Sequence, residues 1–441
     1  MTRTSLALVY AAALALSACA PPGGFARLEQ AATTGLVQVT GYGDDYDHLN
    51  MWKYVPAGMP PNAPLVVAMH PCGFSPQLND YASKIGWNAL ADQYKFYVVY
   101  PEQIAANNAD YCFNWAGDHT DANNMNSPAN LTRGMGENQE IVNMVKRMEA
   151  DYSIDASRVF VNGFSGGAAQ TALMLAVWPD VFAAGATMEG VPYHCTLDKN
   201  EVSSPCMNPG KNLTGQQWGD FVRADLPAGY AGPWPRLQIW EGSTDTFVGV
   251  DNLSELVKQW TNVRGIAATP AMTDKVNGND HAVYQDAQGN AVIETYLVSG
   301  MGHGVALDPT KGCGTADGSF YFDKGICSTA LAAQFFGLQN AAMGGDGGAG
   351  NGGAGGGGAG GAGGGGAGGT GGGAGGAGGA GGGGGNWGSG GFGGGGGGAT
   401  TCHGCAMGGA AAAGDGWLAI AFALVLAVVV VRRASQSRKV A

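Results

Sequence analysis

Gly163-Phe164-Ser165-Gly166-Gly167 has the composition and spacing of a nucleophile turn. It follows an apolar run, Val159-Phe160-Val161, and leads into a helix-prone stretch from Gly166 to Val177. At a strand-to-helix turn, glycines permit the tight backbone that lifts a serine hydroxyl clear of a sheet. The helix that follows points its first amides at the spot where an oxyanion would form. The chemistry expected is acyl transfer through Ser165; a structural glycine turn that happens to contain a serine is the alternative.

A serine hydroxyl is a poor nucleophile until a base takes its proton. Where such a turn carries the nucleophile, the chain order is Ser, then acid, then His, which leaves His194, His281 and His303 as candidates. His303 is preferred: it sits in Gly302-His303-Gly304 after a strand-like run, and its small neighbours let a loop approach the serine. His281 lies in a polar turn before that run, and His194 adjoins Cys195. The acid expected is Asp245, in Gly242-Ser243-Thr244-Asp245 just past an apolar run ending at Trp240, with Asp251 as the fallback. Its carboxylate would fix the imidazole tautomer. An oxyanion hole needs two amides. Gly166 supplies one; Pro71 has no amide hydrogen, so Cys72 is expected to supply the other from His70-Pro71-Cys72-Gly73. His70 and Trp115 are the candidate substrate-binding residues, Trp115 offering an apolar face unless it is a plain core tryptophan.

These side chains need a scaffold that brings distant loops to one edge. Leu65-Val66-Val67-Ala68-Met69, Phe96 to Tyr100, Val159 to Val161 and Leu237 to Trp240 are short apolar runs, each left through a turn, the pattern of strands buried on both faces. Helical segments are expected between them at Tyr81 to Tyr94, Glu137 to Tyr152 and Gly166 to Val177, and Val292 to Val298 reads as a late strand. Leu36 to Val39 and Met51 to Val55 read as an opening antiparallel hairpin. The alternation implies an α/β-hydrolase fold, a mostly parallel sheet with helices on both faces.

The chain has 441 residues, and most of its 79 glycines lie beyond residue 343. The part before that tract, roughly 320 residues, suits one large α/β domain. We expect an export leader at 1–20, the esterase-like domain at 30–342, a Gly-rich linker at 343–401, and a membrane anchor or sorting segment at 402–441. The small residues before Cys19 resemble a bacterial lipobox, in which that cysteine is lipidated; ordinary cleavage after Ala20 is the other reading. The apolar run Trp417 to Val431 precedes Arg432-Arg433, placing the arginines on the cytoplasmic side of a span. The net charge of −12 with no basic run in the globular part argues against a nucleic-acid partner.

Export implies an oxidising compartment. Setting aside Cys19, Cys402 and Cys405, six cysteines remain, for which sequence alone allows fifteen connectivities. Their order favours neighbours: Cys72 with Cys112, Cys195 with Cys206, and Cys313 with Cys327. Metal binding is disfavoured, since this region holds no close Cys-x-x-Cys pair or His cluster. Neither metal nor organic cofactor is expected.

Taken together, the His70 loop, Tyr100-Pro101-Glu102-Gln103, Cys112-Phe113-Asn114-Trp115, the serine turn, Asp245, Gly300-Met301-Gly302-His303 and Gly325-Ile326-Cys327 resemble one family. It is that of the polyhydroxybutyrate-depolymerase-like esterases, close to the feruloyl and acetylxylan esterases of carbohydrate esterase family 1. The resemblance runs from about Leu65 to Leu338 and implies a secreted serine esterase working through an acyl-serine, with an ester substrate of polyester or polysaccharide-linked type. Pro71 stands where the family usually has glycine, and a glycine tether stands where dedicated depolymerases tend to carry a further binding module. The tail resembles the sorting segments called MYXO-CTERM; an ordinary single-span anchor is the plainer reading. A surface binding module without turnover is the rival from another class, opposed by the intact Ser165, Asp245 and His303.

Overall fold

The structure is a computed structural model that describes residues 35–43, 49–73, 78–117, 131–197 and 201–339. The expected leader with Cys19, the linker and the C-terminal segment lie outside the described residues. Among the described residues no helix is long and apolar enough to cross a membrane.

The strands, in chain order, are β1 (Val37–Val39), β2 (Leu49–Tyr54), β3 (Ala63–Met69), β4 (Tyr97–Gln103), β5 (Ile154–Phe164), β6 (Ala184–Met188), β7 (Arg236–Gly242), β8 (Met272–Val276), β9 (Asn279–Gln285), β10 (Ala291–Val298), β11 (Val305–Leu307) and β12 (Tyr321–Asp323). The helices are α1 (Leu78–Lys84), α2 (Trp87–Tyr94), α3 (Gly136–Asp151), α4 (Gly166–Val177), α5 (Gly215–Ala224), α6 (Asp251–Arg264) and α7 (Ser328–Phe335). Ten strands form one sheet in the order β1-β2-β4-β3-β5-β6-β7-β10-β9-β8. From β4 to β10 the neighbours are parallel, while β1, β2, β9 and β8 pair antiparallel at the two edges.

β3 shows why the middle is parallel. All seven of its residues are buried, so it needs cover on both faces, which crossover helices provide. The period of two then divides its side chains. Val66 and Ala68 join a core with Leu78 and Tyr81 of α1, Trp87 and Leu90 of α2, and Phe335 of α7. Leu65, Val67 and Met69 join the opposite core with Ile141 and Val145 of α3, Leu173 of α4 and Trp260 of α6.

Two expectations need correcting. The helix expected over Tyr81 to Tyr94 is two helices, broken at Gly86, whose φ of 88° lies in the left-handed region. Its position against the Gly314 backbone, 3.2 Å from where a Cβ would stand, explains a turn there. The central strand β6 was not foreseen, because Ala-Gly-Ala-Thr-Met lacks the usual branched and aromatic residues. Small side chains are demanded there: a Cβ on Gly185 would come within 2.7 Å of Leu175 in α4.

Among the described residues the disulfides are Cys72–Cys112, Cys195–Cys206 and Cys313–Cys327. The first ties the loop after β3 to the loop after β4.

Candidate active site

Loops at the carboxyl ends of parallel strands converge on one edge of such a sheet, where open α/β folds bind ligands. Ser165 follows β5, Asp245 follows β7, and His303 follows β10. β7 and β10 are neighbours, and β6 alone separates β5 from β7, so the three loops meet without long excursions.

Ser165 has φ 54° and ψ −118°, a left-handed conformation costly for a side-chain-bearing residue. Its amide donates to Met188 O at 2.9 Å, and its carbonyl accepts from the amides of Ala168 and Ala169 as α4 begins. The flanking glycines are sterically required. A Cβ on Gly163 would stand 2.0 Å from Gly167 O, and one on Gly167 would stand 2.3 Å from Met69 O. A Cβ on Gly166 would meet Cys72 Sγ at 2.5 Å and lie 3.6 Å from Cys72 N. The loop after β3 is thus packed directly against the turn that carries the serine.

His303 Nε2 lies 2.8 Å from Ser165 Oγ, and its Nδ1 lies 2.6 Å from Asp245 Oδ2. An ionised carboxylate can only accept, so Nδ1 carries the proton and Nε2 is left to accept from the serine hydroxyl. Asp245 Oδ1 accepts from the amides of Phe247 (2.7 Å) and Val248 (3.0 Å). Burial alone would raise the Asp245 carboxyl, but the hydrogen bond and charge of His303, with help from Glu189 and the Phe247 amide, hold it below its ordinary range. The arrangement can move a proton from Ser165 Oγ onto His303 Nε2 and steady the resulting cation from behind.

The alternatives lie elsewhere. Asp251 is an exposed first residue of α6. His281 sits on β9 with Nδ1 2.7 Å from Asp274 Oδ1, and His194 packs edge-on to Phe221.

His70, expected at the substrate, is turned inward onto backbone partners. It is fully buried; its Nδ1 donates to Pro71 O (2.7 Å) and its Nε2 accepts the Gln103 amide (3.0 Å). Burial lowers its pKa to about 4 against the opposing effect of the Pro71 carbonyl, so the ring is neutral at pH 7. It braces the loop that carries Cys72. Trp115 is half-buried against the cluster that includes Ala169, Val191, Cys206 and Val248, close to both the serine turn and the acid turn.

Glu137, Phe247, Phe320, Glu189 and Glu241 belong to this region and were not singled out from sequence. Glu137 is buried and accepts from Gln103 Nε2 (2.7 Å), Asn107 Nδ2 (2.5 Å) and the Asn114 amide (2.7 Å), organising the loop that holds Cys112. Phe247 and Phe320 flank His303 at ring distances of 5.4 and 6.3 Å, and both are nearly half exposed. The only hint of Phe247 in the sequence is its place two residues past Asp245.

The chain has relatives among known proteins. A family model described as esterase PHB depolymerase matches residues 49–208. Poly(3-hydroxyalkanoate) depolymerase C of Paucimonas lemoignei is 44% identical over 306 residues, spanning 69% of this chain and 70% of that protein. The chain belongs to the PHB-depolymerase esterase family. It is also similar to an acetylxylan esterase of Coprinopsis cinerea, at 35% identity over 280 residues covering 63% of this chain and 71% of the relative. Among solved structures it resembles the acetyl xylan esterase from Aspergillus awamori, with a TM-score of 0.56 and 28% identity over 69% of this chain and 99% of that one. The fold is that of an α/β-hydrolase, and the protein is a carboxylic ester hydrolase of the serine type.

Proposed function

We propose that Ser165, His303 and Asp245 are the working residues of this esterase. The unbroken line of hydrogen bonds from Ser165 Oγ through both His303 nitrogens to Asp245 carries this reading. Ser165 Oγ attacks the ester carbonyl carbon as its proton passes to His303 Nε2, and the oxyanion that forms is held by the amides of Gly166 and Cys72. Collapse breaks the carbon–oxygen bond to the leaving alcohol, which takes the proton from His303. Water then gives a proton to the same nitrogen and attacks acyl-Ser165, and the acid leaves as Ser165 Oγ recovers its hydrogen.

For the substrate we propose poly(3-hydroxyalkanoate) or its oligomers, supported by the 44% identity to a depolymerase of that polymer. The half-exposed rings of Phe247 and Phe320 beside His303 offer apolar contact to an aliphatic hydroxyacyl chain. Acetyl or feruloyl esters on polysaccharide are the second reading, favoured by the likeness to acetylxylan esterases in sequence and fold. We further propose an exported enzyme held at the cell surface, supported by three disulfides, which persist in oxidising compartments, and by the leader and tail read from sequence.

Initial rates on poly(3-hydroxybutyrate), its soluble oligomers, methyl ferulate and acetylated xylan, with Ser165→Ala as the blank, test these readings. Release of 3-hydroxybutyrate by wild type, reduced at least about 10⁴-fold in Ser165→Ala, is the expected result. Serine-dependent release of only ferulate or acetate selects the second reading. Turnover that survives Ser165→Ala overturns the role of Ser165.

A further inference from the structure

The pairing of β6 with β7 sets Met188 beside Trp240. The Glu189 amide extends the ladder by donating to Trp240 O at 2.9 Å, so Glu189 and Glu241 stand side by side where the two strands end. Both are completely buried. Glu189 has φ 57°, a left-handed conformation that a glutamate keeps only where its surroundings impose it. A carboxyl oxygen of Glu189, one of Asp245 and a ring nitrogen of His303 all lie within 4.8 Å of one another. Glu189 neighbours both Asp245 and Glu241, whose carboxyls act on its own.

Three carboxyls therefore gather in one buried place. Among the described residues, apart from the Gly190 amide that faces Glu241, the four oxygens of Glu189 and Glu241 meet no N–H or O–H donor. Glu241 and Asp245, two acids, act on the charge of Glu189, with the His303 ring close by. Carboxyls gathered in one buried place cannot all ionise, and a proton shared between neighbours relieves their repulsion. Burial first, then Glu241 and Asp245, push Glu189 well above the carboxylate range, and burial raises Glu241 as well, with the charge of Asp245, against the opposing contacts with Glu189 and the Gly190 amide. A divalent cation on the same three side chains would need the His303 Nδ1 proton to leave, which would break its bond to Asp245.

We propose that Glu189 and Glu241 are positioning residues held as neutral acids, the Glu189 O–H donating to Asp245 and the Glu241 O–H donating to Glu189. The carboxylate that orients His303 is then itself gripped by a donor that adds no negative charge beside the imidazole. The inference rests on the triad assignment proposed above.

The test compares full-length wild type, Ser165→Ala, Glu189→Gln and Glu189→Leu in kcat and in the pH profile of kcat/KM on p-nitrophenyl butyrate. Glutamine also donates to Asp245, so Glu189→Gln is expected to keep kcat within about threefold and the acidic limb within about 0.3 pH unit. Glu189→Leu removes the donor and is expected to lower kcat roughly 10- to 100-fold at constant KM, with the acidic limb moved to higher pH. A Glu189→Gln limb displaced about one unit to lower pH would mean that a negative charge had been removed, and overturns the proposal while leaving the triad intact. Equal effects of glutamine and leucine overturn it as well. Wild type without Ser165-dependent turnover removes the triad assignment and this inference together. Infrared difference spectra give a readout independent of turnover: wild type at pH 8 should show a protonated-carboxyl stretch that Glu189→Gln diminishes, and its absence from wild type refutes the neutral acid.

Discussion

Replacing Asp245 by asparagine would give His303 an amide where it now has a carboxylate, and the ring could then settle with its proton on the nitrogen that faces Ser165. The expected result is a fall in kcat of about 10⁴ with little change in KM or thermal midpoint, read from steady-state kinetics and a melting curve. The convergence of Ser165, Asp245 and His303 was legible because each sits among glycines or small polar residues just past an apolar run, a local pattern. Glu189 and Glu241 were not, because their meeting depends on the register between β6 and β7, and 51 residues of intervening chain lie between those two positions. The inward setting of His70 was hidden for a related reason. A histidine beside an oxyanion loop looks available to substrate until the Gln103 amide, from the neighbouring strand, is seen to occupy its Nε2.

The loop after β3 and the loop after β4 act as one unit, held by Cys72–Cys112 and by Glu137 beneath. The disulfide closes a separation of 40 residues, worth about 4 kcal/mol in the chain-entropy account. Cys72→Ser with Cys112→Ser is therefore expected to lower stability by that order in urea titration. It should also cut kcat by about 10²-fold where the protein is still folded, since the Cys72 amide loses its anchor. Burial raises Glu137 to about 7 against its hydrogen bonds to Asn114, Gln103 and Asn107. A carboxyl raised in the folded state binds more protons folded than unfolded, so its contribution to stability is complete below about pH 4.5 and is lost as pH rises through 7. The stability advantage of wild type over Glu137→Gln should accordingly shrink by up to about 3 kcal/mol across that window, measured by urea denaturation at stepped pH. The parallel strands rich in Val, Ile and Phe could be read directly. β6, whose residues are small to admit α4, and α1 and α2, parted at Gly86, show the limit of pattern where close packing chooses the residues.

At the scale of the molecule, six parallel strands put every proposed working group on one edge, and disulfides hold loops on that edge and behind it. Three crosslinks closing separations of 40, 11 and 14 residues predict that a thiol reductant lowers the thermal midpoint by at least about 10 °C; an unchanged midpoint in scanning calorimetry would count against that. The alternation of strand and helix made the layered architecture readable, while the antiparallel pair β8 and β9 lay in a stretch whose polar residues gave no clear period. Those borders have their own effect. The sheet ends on one side in β1, only three residues long, and on the other in β8, which carries Asp274 and Lys275. A short margin and a charged one are poor templates for another chain to pair with. Copies crowded together should therefore stay separate bodies, colliding without fusing their sheets into a common ribbon.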